Sequence, residues 1–115
     1  MKDRKDDLVL IDHIVDAIGT ILLHTRSLNE EAFLQDRLVQ DAVIRNFTVI
    51  GEAVKHINDD LKRKYPLMEW KKMAGMRDKL VHDYMGIDNQ AIWLTIQRIL
   101  PGTLEEFLAI RKDLE

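Results

Sequence analysis

The 115-residue chain has no cysteine, which excludes both a disulfide framework and a thiolate metal site. A small chain without cross-links fits the cytosol. The start, MKDRKDDLVLIDH, is charged and runs into a broken apolar pattern, unlike the continuous apolar core of a signal peptide. No apolar run approaches the roughly 20 residues a membrane span needs. A cytoplasmic protein without a membrane partner is therefore expected. Only two prolines and five glycines interrupt the chain, and 32% of residues are charged, a profile that favours helices. The length suits one domain over residues 1–115, large enough to fold without staples.

A strong excess of one charge is also missing. The formal net charge is -3, so the chain as a whole is not a polycation, but its charges are unevenly spread. Residues 1–54 hold six Lys/Arg against ten Asp/Glu, residues 55–79 hold eight against four, and residues 80–115 hold three against six. A basic middle on an acidic chain can attract an anion locally, although a lysine run by itself is also what a solvated polar loop looks like.

What is present is helical periodicity. Leu8, Ile11, Ile14, Val15, Ile18, Ile21 and Leu22 make one apolar stripe of about five turns. Ser27-Leu28-Asn29-Glu30 has capping-box spacing and predicts a second helix start. From Leu38 to Leu61 the pattern predicts a long amphipathic helix, with a bend near Asp36 and Gly51 in its interior. A mid-helix glycine costs up to about 1 kcal/mol relative to alanine, and close approach of another helix is the expected compensation. Pro66 breaks the chain. A further helix is predicted from about Met68 to Met85, ending near Gly86. Asp88 is a predicted N-cap for the next helix, which Pro101-Gly102 should kink or split. No strand alternation or internal repeat appears. The expected fold is all-α, an up-and-down antiparallel bundle of four to five helices.

Within the predicted Met68–Met85 helix lies GMRDKLVHDYMG (75–86). Arg77 and Tyr84 are seven apart and share a stripe on a straight helix, whereas Arg77 and His82 point about 140° apart. One straight helix does not aim all three at a point. A twofold partner would, because it brings identical patches face to face. Histidine moves protons near neutral pH, and arginine holds phosphate oxygens with a charged planar fork. Such a pair can cleave RNA without metal: the imidazole takes the ribose 2′-hydroxyl proton, and the guanidinium stabilises charge at phosphorus. Arg-x4-His is nevertheless a common chance spacing, and a helix end closed by Tyr84, with Asp83 paired to Lys79, is the plainer account.

The surrounding residues narrow this. GMRDKLVHDYMGID resembles the Arg-x4-His-x-Tyr signature of the HepT-like toxins of the HEPN superfamily. DAVIRNFTVIGEAVKHI (41–57), YPLMEWKKMAGMRD and IDNQAIWLTIQRILPGTLEEF also resemble that family's long helix, motif-helix entry and closing helix. The likeness spans nearly the whole chain. It implies a HEPN-like bundle acting as a homodimer, and a metal-independent endoribonuclease toxin of a type VII toxin–antitoxin pair. Arg77 and His82 would be catalytic, RNA the substrate, and no cofactor or metal needed. Tyr84 would accept AMP from a small nucleotidyltransferase antitoxin, MntA, adding negative charge and bulk beside an anion-binding cleft.

Three further residues join the candidate site. Asp78, at a position where the superfamily often has asparagine, would orient Arg77 but weaken its hold on phosphate. Arg45 and Glu52 share a face of the long helix, and Glu52 is placed either toward the motif helix or in solvent. His13, His24 and His56 lack metal-ligand spacing and read as surface or interface residues. Two alternatives stay open: a non-catalytic binding partner of a nucleotidyltransferase, and a structural dimerisation bundle.

Overall fold

The computed structural model describes residues 4–115; the first three residues of the charged N-terminal stretch lie outside the described residues. Among the described residues seven α-helices follow one another: α1 (Arg4–Thr25), α2 (Glu30–Gln35), α3 (Arg37–His56), α4 (Asp59–Lys64), α5 (Trp70–His82), α6 (Asn89–Arg98) and α7 (Leu100–Leu114). A 3-10 turn (Tyr84–Gly86) separates α5 from α6. Five of these helices have ten residues or more, and no strand occurs among the described residues. The all-α bundle expected from periodicity is the fold, consistent with the HEPN-like fold that the resemblance implied.

Side-chain polarity sets the breaks. Asn29 caps α2 by accepting the Ala32 N–H at 2.8 Å, Asp36 caps α3 through Val39 N–H at 3.1 Å, and Asp88 caps α6 through Ala91 N–H at 3.1 Å. Each oxygen satisfies a helix-end donor that has no intrahelical partner. Asp36 thus ends one helix and begins the next, where the sequence pattern suggested a bend. The predicted helix to Leu61 instead stops at His56. Asn58 restarts the chain by accepting the Asp60 N–H at 3.0 Å, while Ile57 and Leu61 stay buried. Apolar periodicity continues through the break because both segments face the same core. At Pro101-Gly102 the expected split falls just earlier, at Ile99, with the proline inside the first turn of α7, where it sacrifices no helix hydrogen bond.

Contacts between numbered residues give the packing direction. Arg4 donates to the Leu114 carbonyl at 2.7 Å, so the start of α1 lies at the end of α7. The Asn58 N–H donates to Asp7 Oδ1 at 3.0 Å, so the start of α1 also lies at the end of α3. Both neighbours are antiparallel to α1. The stripe Ile11, Ile14, Ile18 and Ile21 is fully buried between them, and Phe33 and Phe107 complete the interior. Phe33 meets Trp93 at 5.2 Å and Trp70 meets Phe107 edge-on at 5.7 Å, an arrangement favoured by the ring quadrupoles. α1 is long and apolar enough, by length and composition, to cross a bilayer. Here its apolar stripe is a bundle core, while Asp12, His13 and Asp16 face outward.

Asp7 is a buried carboxylate, 4% exposed, and no sequence pattern singled it out. It anchors the restart at Asn58, a partly buried donor, so losing this acceptor costs toward the lower end of the about 1–3 kcal/mol of an unsatisfied buried group. Asp7→Ala is expected to lower the melting temperature by several degrees, with Asp7→Asn milder; thermal unfolding by circular dichroism checks both.

Candidate active site on α3 and α5

α3 and α5 cross closely because Gly51 has no side chain. A Cβ there would overlap the Arg77 Cβ and sit 2.8 Å from the Met73 carbonyl oxygen. This is the helix approach the interior glycine implied. It seats Arg77 against α3, with its side chain 25% exposed.

Arg77 lies between two carboxylates. Its Nη1 donates to Asp78 Oδ1 at 3.0 Å, and its Nε lies 3.1 Å from Glu52 Oε2. The Nε–H does not point along that line and is buried without a hydrogen bond, so Glu52 attracts the guanidinium as a charge. Glu52 therefore faces the motif helix, the inward one of its two expected placements. Asp78 accepts from both Arg77 and Lys55. Glu52 lies 3.1 Å from His56 Nε2. The result is a chain of partners, His56–Glu52–Arg77–Asp78–Lys55. Glu52 and His56 are a helical i, i+4 pair visible in sequence; Lys55 and Asp78 are 23 residues apart and only the crossing joins them.

Hydrogen bonds from Lys55 first, then Arg77, hold the Asp78 carboxyl below its ordinary 3.8. With the folded value lowered, the contribution of this clamp is complete above the ordinary carboxylate range and is lost only as pH falls through the lowered value. Asp78 is thus ionised throughout the range where an unperturbed histidine titrates. It competes with any phosphate for Arg77. Asp78→Asn removes the ion pairs to both Arg77 and Lys55 and is expected to tighten binding of inorganic phosphate about twofold to fivefold, as suits loss of exposed pairs; titration calorimetry at fixed salt checks this.

His82 and Tyr84 do not join Arg77 within one chain. The helix ends at His82 rather than near Gly86: Asp83 closes it, its N–H donating to the Lys79 carbonyl at 2.9 Å. Tyr84 falls in the 3-10 turn, off the Arg77 stripe. It is half exposed, with its hydroxyl 3.5 Å from Asp41 Oδ1 on α3. His82 lies on the exposed stripe of α5 with Lys71 and Gly75, and Gly75 has open space where a Cβ would stand. Arg45 shares with Glu52 and Arg77 a groove of about 530 Å3 between α1 and α3, which His13 and His56 also line. Asp41, Lys55 and His13 are site neighbours that sequence reasoning missed, since none has a local spacing signal linking it to Arg77. Among the described residues no three His, Asp or Glu side chains gather as a metal site.

An all-helical bundle with a clamped arginine and an exposed histidine on one helix defines a class of proteins whose polar centre lies on a helix face. Comparison makes the class specific. The family described as Ribonuclease HepT-like matches residues 14–110, and the chain belongs to that family. It is 42% identical to "Probable ribonuclease HepT" of Thermococcus cleftensis, covering 89% of this chain and 93% of that protein. It is 39% identical to "Putative RNase MJ0125" of Methanocaldococcus jannaschii over 97% of each chain. It is 34% identical to "Putative RNase TTE0752" of Caldanaerobacter subterraneus over 79% and 81%. No solved structure matches the chain.

Proposed function

We propose that this chain is a metal-independent endoribonuclease, the toxin of a HepT/MntA type VII toxin–antitoxin pair acting in the cytoplasm. The observation that carries the proposal is the placement of Arg77, fixed in a groove by its partners, with His82 exposed at the end of the same helix, in a chain belonging to a ribonuclease family. His82 removes the proton from a ribose 2′-hydroxyl, and O2′ attacks the adjacent phosphorus. The bond to the 5′ oxygen breaks, that oxygen takes a proton, and a 2′,3′-cyclic phosphate remains. Arg77 stabilises the charge on the phosphoryl oxygens. Since Arg77 and His82 diverge within one chain, the site is completed in a homodimer whose two α5 helices face each other. The open space at Gly75 on the His82 face permits close approach.

Tyr84 is exposed enough to be modified, and AMP there would place negative charge beside the cleft. Incubating purified protein with RNA tests the core of the proposal: cleavage to cyclic phosphate ends that persists in EDTA supports it, and loss of activity in EDTA counts against the mechanism. Mass spectrometry of Tyr84 after co-expression with a neighbouring nucleotidyltransferase tests the modification.

A second reading is favoured by one observation. Glu52 and Asp78 together offset the Arg77 charge, as suits a non-catalytic binding partner of the nucleotidyltransferase. Expression without that partner separates the two: growth arrest belongs to the nuclease and unimpaired growth to the binding module.

A further inference from the structure

The groove between α1 and α3 extends beyond Arg77 to a cation that the chemistry above does not use. Arg45 is exposed and makes no ion pair among the described residues. His13 of α1 lines the same groove, and Leu10, Val49 and Ala53 contribute apolar surface. Its volume of about 530 Å3 falls within the range of small-ligand sites.

Position along α3 sets the relation to the reaction. Arg45 precedes Glu52 by seven residues, about 10.5 Å along the helix axis, and Glu52 is the residue that touches Arg77. Arg77 is held at the Glu52 end by Glu52 and Asp78, so the two guanidinium groups are offset along the groove that joins them. The one carboxylate lining it, Glu52, is engaged by Arg77 and His56. The Thr48 hydroxyl is spent on the Ile44 carbonyl at 2.9 Å. The charged group left to meet a ligand at this end is Arg45; His13, on the antiparallel α1, lies level with Glu52 instead.

We propose that Arg45 forms a subsite for a phosphate flanking the one that is cleaved, so that the α1–α3 groove takes a single strand of RNA extending away from Arg77. A ribose or base lies on the apolar surface while Arg45 forks the flanking phosphate. Arg45 is then a positioning residue: it fixes the register of the strand and does not touch the reacting atoms. This rests on the nuclease reading above.

The test uses the full-length protein with a dinucleotide, which has no flanking phosphate, and an oligoribonucleotide of about ten residues. The parent is expected to cleave the longer substrate with the lower KM. In Arg45→Gln that advantage should shrink about threefold to tenfold, and Arg45→Lys should recover part of it by restoring the charge. Binding of the longer RNA to His82→Ala protein, compared with the same protein also carrying Arg45→Gln, should lose about 0.7 from the slope of log affinity against log salt, the value for one phosphate contact on a single strand. If the parent cleaves RNA while Arg45→Gln keeps both the length advantage and the salt slope, the subsite is wrong and the nuclease reading survives. If the parent cleaves no RNA, both fall together.

Discussion

His82→Ala is expected to lower kcat for RNA cleavage by about 10²- to 10⁴-fold, the usual contribution of a positioned proton-transfer group. The fold should be unaffected, because the imidazole is exposed at the end of α5 and packs in no core. Arg77→Ala should reduce kcat at least as severely, through loss of charge stabilisation at phosphorus. It also leaves Glu52 and Asp78 facing each other without the intervening cation, so its melting temperature should be compared with the parent's. Mixing the two inactive variants tests the dimeric site. Exchanged subunits retain one arginine and one histidine in the shared cleft, so part of the activity should return. A His82→Ala protein that cleaves at the parental rate would remove His82 from the mechanism. Variants that never complement would place each site within a single chain.

Gly51→Val is expected to be the most destabilising single substitution at the site. Even an alanine Cβ would overlap the Arg77 Cβ and crowd the Met73 carbonyl. The second obstacle is backbone, which cannot rotate away. Alanine improves helix propensity by up to about 1 kcal/mol, but forced overpacking costs about 1–3 kcal/mol or more. Gly51→Ala should therefore melt several degrees lower, and Gly51→Val, with a branched side chain, lower still. Both should lose activity beyond their loss of stability, since α5 must move and carries Arg77 with it. Gly19→Ala provides the contrast: nothing lies within 4 Å of its Cβ position, so it should hold or raise the melting temperature. Parallel thermal scans decide the matter, and a Gly51→Ala protein as stable as the parent would mean that the helices cross less closely than described.

Much of the fold was legible because it rests on local rules. The stripe from Ile11 to Ile21 is the buried face of α1, and Asp88 caps α6. Gly51, the one glycine predicted to admit a neighbouring helix, does so. Where the sequence pattern misled, one local preference hid another. Apolar spacing carried the predicted long helix through His56, although Asn58 supplied a cap for a new one. It also carried the motif helix to Met85, although the chain tightens into a 3-10 turn after Asp83. Periodicity reports which residues face the core, and a short break does not alter that.

The sequence by itself determined the all-helical bundle and its family, because apolar spacing, capping residues and the matched motif are properties of order along the chain. Only the tertiary structure decided that Arg77 sits between Glu52 and Asp78, that Lys55 and His56 brace those carboxylates, and that Arg45 opens into the same groove. Those relations depend on the depth and register with which α3 and α5 cross. A missing Cβ at Gly51 permits that crossing, and no spacing within either helix encodes its register.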